Sequence, residues 1–157
     1  MGKGVGLEGL WEPEEQVVIL GVGNELRGDD GLGTALARRL KGKLPFPVLE
    51  GGSAPENLLG KILNLAPDVL VVVDAVDFGG EPGKVLQIGQ DEIEFRGFST
   101  HGPSIGPFLE FLRREGVRVV VLGVQPEDIG FGRGLSPPVL EALRNLEELF
   151  LRLARRA

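Results

Sequence analysis

The sequence predicts a single-domain α/β fold: a three-layer sandwich in which a twisted, mainly parallel five-stranded sheet carries helices on both faces. Three observations predict it. Short apolar, β-branched runs alternate along the chain with stretches whose leucines recur every three or four residues, the mark of strands alternating with amphipathic helices. The run Val69–Val73 is unbroken, which suits a central strand covered on both faces. Glycines cluster between the runs, where turns are required.

The elements follow in order. Residues 1–15 are Gly-rich without clear periodicity and read as a loosely ordered N-terminal extension, pinned by Trp11, ahead of one folded domain over 16–157. Val17–Leu20 is a buried strand that runs into the tight turn Gly21-Val22-Gly23. Asp29 or Asp30 is placed to cap a helix bearing Leu32, Leu36 and Leu40 on one side. Val48–Glu50 is a second strand closed by Gly51-Gly52. Ser53 and Glu56 stand three apart as in a capping box, with Pro55 in the first turn and Leu58, Leu59, Ile62 and Leu63 facing a core. The third strand, Val69–Val73, ends in Asp74. The link to a fourth strand over 84–88 is short enough for a hairpin, so one strand is expected to run antiparallel. His101 follows in a loop, Phe108, Leu109 and Leu112 mark a third helix, and Val117–Leu122 is the fifth strand. Ser136-Pro137 opens the last helix, whose stripe is Val139, Leu140, Leu143, Leu146, Leu149, Phe150 and Leu153; acidic residues lead into it and arginines end it, as the helix dipole favours.

Composition narrows the function. The chain has 157 residues, 42% apolar and 25% charged, as an ordinary globular domain does. A net charge of −6 argues against general nucleic-acid binding. There are no cysteines, which removes disulfides, thiolate metal sites and cysteine nucleophiles and fits a reducing compartment. No apolar run is long enough for a signal peptide or a membrane span, so a cytoplasmic protein without membrane insertion is expected. Oligomeric state is not legible in the sequence.

Three residues are candidates for chemistry. Asp30 follows strand one, Asp74 ends strand three and His101 follows strand four. In open α/β sheets, binding sites form beyond the carboxyl ends of the strands, where groups distant in sequence meet. Two carboxylates and one imidazole would make a borderline-hard site suited to nickel or zinc, with positions left open for water or substrate. Each residue also has an ordinary reading: a helix cap for Asp29 or Asp30, a strand end for Asp74, an incidental loop histidine for His101. The residues alone leave both open. Other chemistries fit poorly. Gly21-Val22-Gly23 begins a dinucleotide-binding pattern that fails at Leu26, where the third glycine belongs; no phosphate-binding G-K-[ST] loop or nucleophile elbow is present.

The motifs taken together resemble the nickel–iron hydrogenase maturation proteases. Gly21-Val22-Gly23-Asn24 and Gly28-Asp29-Asp30-Gly31-Leu32-Gly33 are similar to that family's opening signature. Gly51-Gly52-Ser53-Ala54-Pro55-Glu56-Asn57 resembles the second block of its formate-hydrogenlyase-type branch. Val73-Asp74-Ala75 with Pro82-Gly83, then Ser99-Thr100-His101, then Leu122-Gly123-Val124-Gln125-Pro126 follow in order. The resemblance covers residues 16–156. It implies an endopeptidase, aspartic-type or assisted by the substrate's metal, that removes a short C-terminal extension from the hydrogenase large-subunit precursor after nickel insertion. It places the family's acidic ligands on Asp30 and Asp74 and its histidine ligand on His101. Many relatives carry Glu where this chain has Asp30, a choice the formate-hydrogenlyase-type branch shares. The nickel is expected to arrive with the precursor, and no permanent catalytic metal is expected. The alternative on the same fold is a non-proteolytic nickel-binding or delivery protein.

Overall fold

The computed structural model describes Leu7 and residues 9–89 and 105–155. Five strands, β1 (Val17–Val22), β2 (Val48–Gly52), β3 (Val69–Ala75), β4 (Val85–Ile88) and β5 (Arg118–Val124), form one sheet in the order β2-β1-β3-β5-β4. Among the described residues four α-helices, α1 (Leu32–Leu40), α2 (Leu59–Leu65), α3 (Ile105–Arg114) and α4 (Pro137–Ala154), flank it, and two 3-10 turns, Gly28–Gly31 and Pro55–Leu58, lead into α1 and α2. The α/β sandwich read from the sequence is what forms.

Strand alternation divides the core in two. Val17 and Ile19 of β1, Val69, Val71 and Val73 of β3, and Val120 and Leu122 of β5 pack with Leu32, Leu36 and Leu40 of α1 and Val139, Leu143, Leu146 and Phe150 of α4. Val18 and Leu20, Leu70 and Val72, and Val121 pack with Ile62 of α2 and Phe108, Leu109 and Leu112 of α3. Burying a leucine such as Leu36 completely stabilises the fold by about 2 kcal/mol. On the first face Leu10 and Trp11 are buried as well. The Trp11 ring stands edge-on to Phe46 at 5.2 Å and tilted against Phe150 at 5.9 Å, so the segment ahead of β1 is pinned as its tryptophan suggested.

Several local expectations are corrected. β4 is antiparallel, but it pairs with β5 rather than forming a hairpin with β3, because β5 inserts between them. β1, β3 and β5 each run two residues past their apolar runs. Backbone ladder bonds do not depend on the side chain, so Gly21, Asp74 and Gly123 stay in register with their neighbours. Ser53 and Glu56 form no capping box: the turn Pro55–Leu58 begins after Ala54 with no side-chain cap. Neither Asp29 nor Asp30 caps α1, whose N-cap is Gly31; both aspartates lie inside the preceding turn. The first turn of α4 holds no acidic residue, although Arg152 does close its last turn.

Candidate active site

Asp30 and Asp74 both come to the carboxyl edge of the sheet, and glycine makes the approach possible. Gly33, in the first turn of α1, lies so close to the strand ends that a Cβ there would collide with the carbonyl oxygens of Val73 and Val22. A Cβ on Gly23 would likewise run into the carbonyl of Asp30, and Gly23 has φ +140°, which other residues rarely adopt. The segment Asp30–Gly33 therefore sits directly over the ends of β1 and β3. Asp74 is the residue after Val73, opposite Gly123 in the ladder. It shares the parity of Leu70 and Val72, so its side chain leaves the sheet toward the face carrying α2 and α3. Each of the two aspartates is only 3% exposed.

The loop after β1 is fastened to Asp30. Asn24 donates its backbone N–H to Asp30 Oδ2 at 2.9 Å and accepts the N–H of Leu26 on its own Oδ1 at 2.9 Å. Thr34 Oγ1 donates to the Gly23 carbonyl at 2.8 Å, and the Gly23 N–H donates to the Gly52 carbonyl at 2.8 Å, bringing the glycine pair that ends β2 to the same edge. His101, the third residue expected at the site, lies outside the described residues. Among the described residues no three His, Asp or Glu side chains gather as a metal site would need.

Two residues that the sequence named only as a candidate helix cap, Asp29, and as part of a motif, Gln125, organise this edge. Asp29 is fully buried. Its Oδ2 accepts the N–H groups of Glu127 (2.8 Å) and Asp128 (3.0 Å) and the Ser136 hydroxyl (2.8 Å), while Oδ1 accepts the Ser136 N–H (2.7 Å). One carboxylate thus holds both ends of the β5–α4 loop. Gln125, buried at the end of β5, does the same for the loop after Asp74. Its Oε1 accepts from Phe78 N (2.9 Å) and Gly80 N (3.0 Å), and its Nε2 donates to Asp77 Oδ1 (3.0 Å). The doubled aspartate between Gly28 and Gly31, and a glutamine directly after a buried strand, are the signals that pointed to them.

Charge is concentrated beside β2. Arg38 of α1 forks onto Glu25 at 2.7 and 2.8 Å and reaches Glu50 at 3.0 Å, where Lys41 also binds at 3.0 Å. The Lys41 hydrogen bond, opposed by burial and joined by the Arg38 hydrogen bond and the charge of both cations, holds the Glu50 carboxyl below the usual carboxylate range.

The fold and much of the sequence are shared with known proteins. The hydrogenase maturation protease family model, HycI, matches residues 32–153. The hydrogenase 3 maturation protease of Escherichia coli K12 is 36% identical over 132 residues, covering 82% of this chain and 85% of that protein. The crystal structure of a NiFe hydrogenase maturation protease HycI from Thermococcus kodakarensis superposes with a TM-score of 0.86 at 32% identity, covering 95% of this chain and 98% of the other. The hydrogenase maturating endopeptidase HybD of E. coli gives a TM-score of 0.75 at 28% identity, with 90% and 93% covered. The chain belongs to the hydrogenase maturation proteases.

Proposed function

We propose that this chain removes the C-terminal extension from a nickel-loaded hydrogenase large-subunit precursor, with Asp30, Asp74 and His101 completing the coordination of the nickel that the substrate brings. As a hydrogenase maturation protease it is an endopeptidase that processes the C-terminus of a hydrogenase large subunit. The observation that supports the finer reading is the position of two buried aspartates, Asp74 near the carboxyl end of β3 and Asp30 in the turn that lies over the ends of the neighbouring strands β1 and β3. Chain length supports the third member. The helix α3 returns through a three-residue link to the amino end of β5, so Ile105 opens it at the carboxyl edge, and His101 precedes Ile105 by four positions. Four residues span at most about 14 Å, which leaves that edge within reach.

The chemistry follows from position. A metal held by the precursor and gripped by two carboxylates and an imidazole fixes the scissile bond relative to the enzyme, which supplies proximity and orientation. Water adds to the scissile carbonyl carbon, the C–N bond breaks, and the proton that water loses ends on the leaving amine. A carboxylate at this edge is placed to carry that proton. Gly52, where nothing lies within 4 Å of an added Cβ, presents bare backbone at the end of β2, which suits an extended peptide. The cysteine-free composition fits work in the cytoplasm. Among the described residues no helix is long and apolar enough to cross a membrane.

The test is incubation of the purified protein with nickel-loaded and nickel-free large-subunit precursors, followed by mass analysis. Loss of a C-terminal fragment from the loaded precursor alone is the expected result. Nickel transfer without cleavage would establish the delivery role instead, and cleavage of both precursors would remove the metal from the recognition step.

A further inference from the structure

We infer that Leu26, Ile129 and Phe131 form the surface on which the folded body of the protein substrate docks, next to the edge where its C-terminal tail is cut. This rests on the carboxyl edge being the cleavage site. Among the described residues the exposed large apolar side chains are Leu26, Leu65, Phe111, Ile129 and Phe131, and three of these five fall on two loops bonded to each other. Phe131 is 74% exposed and Leu26 61%. Gly132 N donates to the Leu26 carbonyl at 2.8 Å, and Asp29 N to the Asp128 carbonyl at 2.9 Å, so the β1–α1 and β5–α4 loops run side by side.

The surface is continuous with the site. From the Asp30 carboxylate, hydrogen bonds lead through Asn24 to Leu26, and from Leu26 to the residue after Phe131. It is also stiff. Asp29 holds the N–H groups of Glu127 and Asp128, Asp128 Oδ1 accepts from Gly130 N at 2.8 Å, and the Arg133 N–H donates to the Gly130 carbonyl at 3.3 Å. Exposed apolar side chains on a preorganised platform lose little entropy on binding, and three of them on two bonded loops, unlike apolar residues scattered singly, mark an interaction site. The exposed Arg27 and Arg133 beside them complete the aromatic, aliphatic and arginine composition of a protein interface. A protease that trims the tail of a folded partner must hold that partner beside the cut. The surface on the same bonded loops as Asp30 is where such a body comes to rest, and the occupant is a folded precursor with an apolar face beside its C-terminal tail.

The experiment uses Phe131→Asp and Ile129→Asp, with Leu65→Asp at the opposite edge of the sheet as control, against nickel-loaded large-subunit precursor. Steady-state cleavage is measured for each, and precursor affinity is measured separately in an Asp30→Asn background, where turnover is blocked. The expected result is a rise of about tenfold or more in KM and in Kd for the loop variants, with kcat within about twofold and the control unaffected. Unchanged KM and Kd overturn the inference. So does an equal rise in the control, or a fall in kcat at constant KM. A wild-type dimer that Phe131→Asp turns into a monomer assigns the surface to a second copy of the chain and likewise overturns it. If the wild type binds precursor without cutting it, the cleavage reading fails while the Kd comparison still decides the docking surface.

Discussion

Asp29 and Ser136, 107 positions apart in the chain, are joined twice: the Ser136 N–H donates to Asp29 Oδ1 at 2.7 Å and the Ser136 hydroxyl to Oδ2 at 2.8 Å. The carboxylate beside the candidate catalytic Asp30 is thereby committed to architecture. It ties the turn Gly28–Gly31 to the residue that opens α4, so the edge of the site and the longest helix move together.

Asp29→Ala is expected to destabilise the protein by about 3 kcal/mol. It strands three backbone N–H groups and a hydroxyl that the buried carboxylate now satisfies, and each unsatisfied buried donor costs about 1–3 kcal/mol, partly relieved by water entering the gap. Urea denaturation at neutral pH measures it. A change below about 0.5 kcal/mol would show that the loop re-satisfies its donors without Asp29.

Asp30→Asn separates chemistry from architecture at the neighbouring position. The amide oxygen still accepts the Asn24 N–H, so the unfolding free energy is expected to stay within about 1 kcal/mol of wild type. Cleavage of loaded precursor should fall by about a thousandfold or more, because a neutral amide neither grips a metal nor carries a proton as a carboxylate does. Circular dichroism run beside the cleavage assay distinguishes the two. Near-wild-type cleavage would remove Asp30 from the active site.

How much was legible follows from which forces are local. Val69–Val73 announced a central strand because burial on both faces requires an apolar residue at every position, and Asp74 stood out as the charge that ends the run. The leucines of α1 and α4 declared their faces by spacing alone. What stayed hidden depends on partners far along the chain. Asp29 binds groups 98 to 107 positions away, and its acceptors' partners are mostly backbone N–H groups, which every residue except proline carries. The pairing of β4 with β5 is a choice between edges that no run of side chains encodes. The capping box at Ser53 met the spacing rule, but the chain formed a 3-10 turn one residue later instead. His101 lies outside the described residues, so its place at the site rests on sequence motif and chain length.

Two glycine substitutions should act in opposite directions. In Gly33→Ala the new methyl meets the Val73 and Val22 carbonyls, both fixed in the sheet, so α1 must lift off β1 and β3. A loss of at least about 3 kcal/mol is expected, with cleavage falling as Asp30 is displaced. In Gly60→Ala, within α2, nothing lies within 4 Å of the new methyl, and better helix propensity should add about 0.5–1 kcal/mol. Thermal or urea denaturation of both variants checks the pair, and a tolerated Gly33→Ala would show that the close approach at the strand ends is not required.

Acid sensitivity should trace in part to Glu147. Burial alone would raise its pKa, but hydrogen bonds and charge from Arg39 (2.9 Å) and Lys43 (3.2 Å) outweigh that, and the carboxyl titrates below the usual range. A lowered folded pKa means that the contribution is complete above the unfolded carboxylate pKa, near ~4.3, and is lost as pH falls through the lower folded value. The two cations are about half exposed, so the pair holds α4 to α1 by only about 0.5–1 kcal/mol. Glu147→Gln should therefore cost that much at pH 7 and nothing once the wild-type carboxyl is protonated. Denaturation of both proteins at neutral and strongly acidic pH reads the difference, and a gap that persists in acid would assign it to packing.

The last prediction concerns where the metal resides. On the proposed reading, two carboxylates and one imidazole would leave a coordination sphere open, and the chain has no cysteine to tighten it. An enzyme that must wait for a correctly loaded partner gains from a weak site of its own, since a site already filled could not report the partner's state. Discrimination then comes from the difference in affinity between loaded and empty precursor. Enzyme treated with chelator and freed of it by gel filtration is expected to cleave nickel-loaded precursor at the untreated rate. Adding nickel to the enzyme should leave empty precursor uncut. Isothermal titration with nickel alone, free of any cleavage readout, should show weak binding that weakens further in Asp74→Asn. Treated enzyme that stays inactive toward loaded precursor until metal is restored would overturn this order of events and make the protein a metallopeptidase with a resident ion.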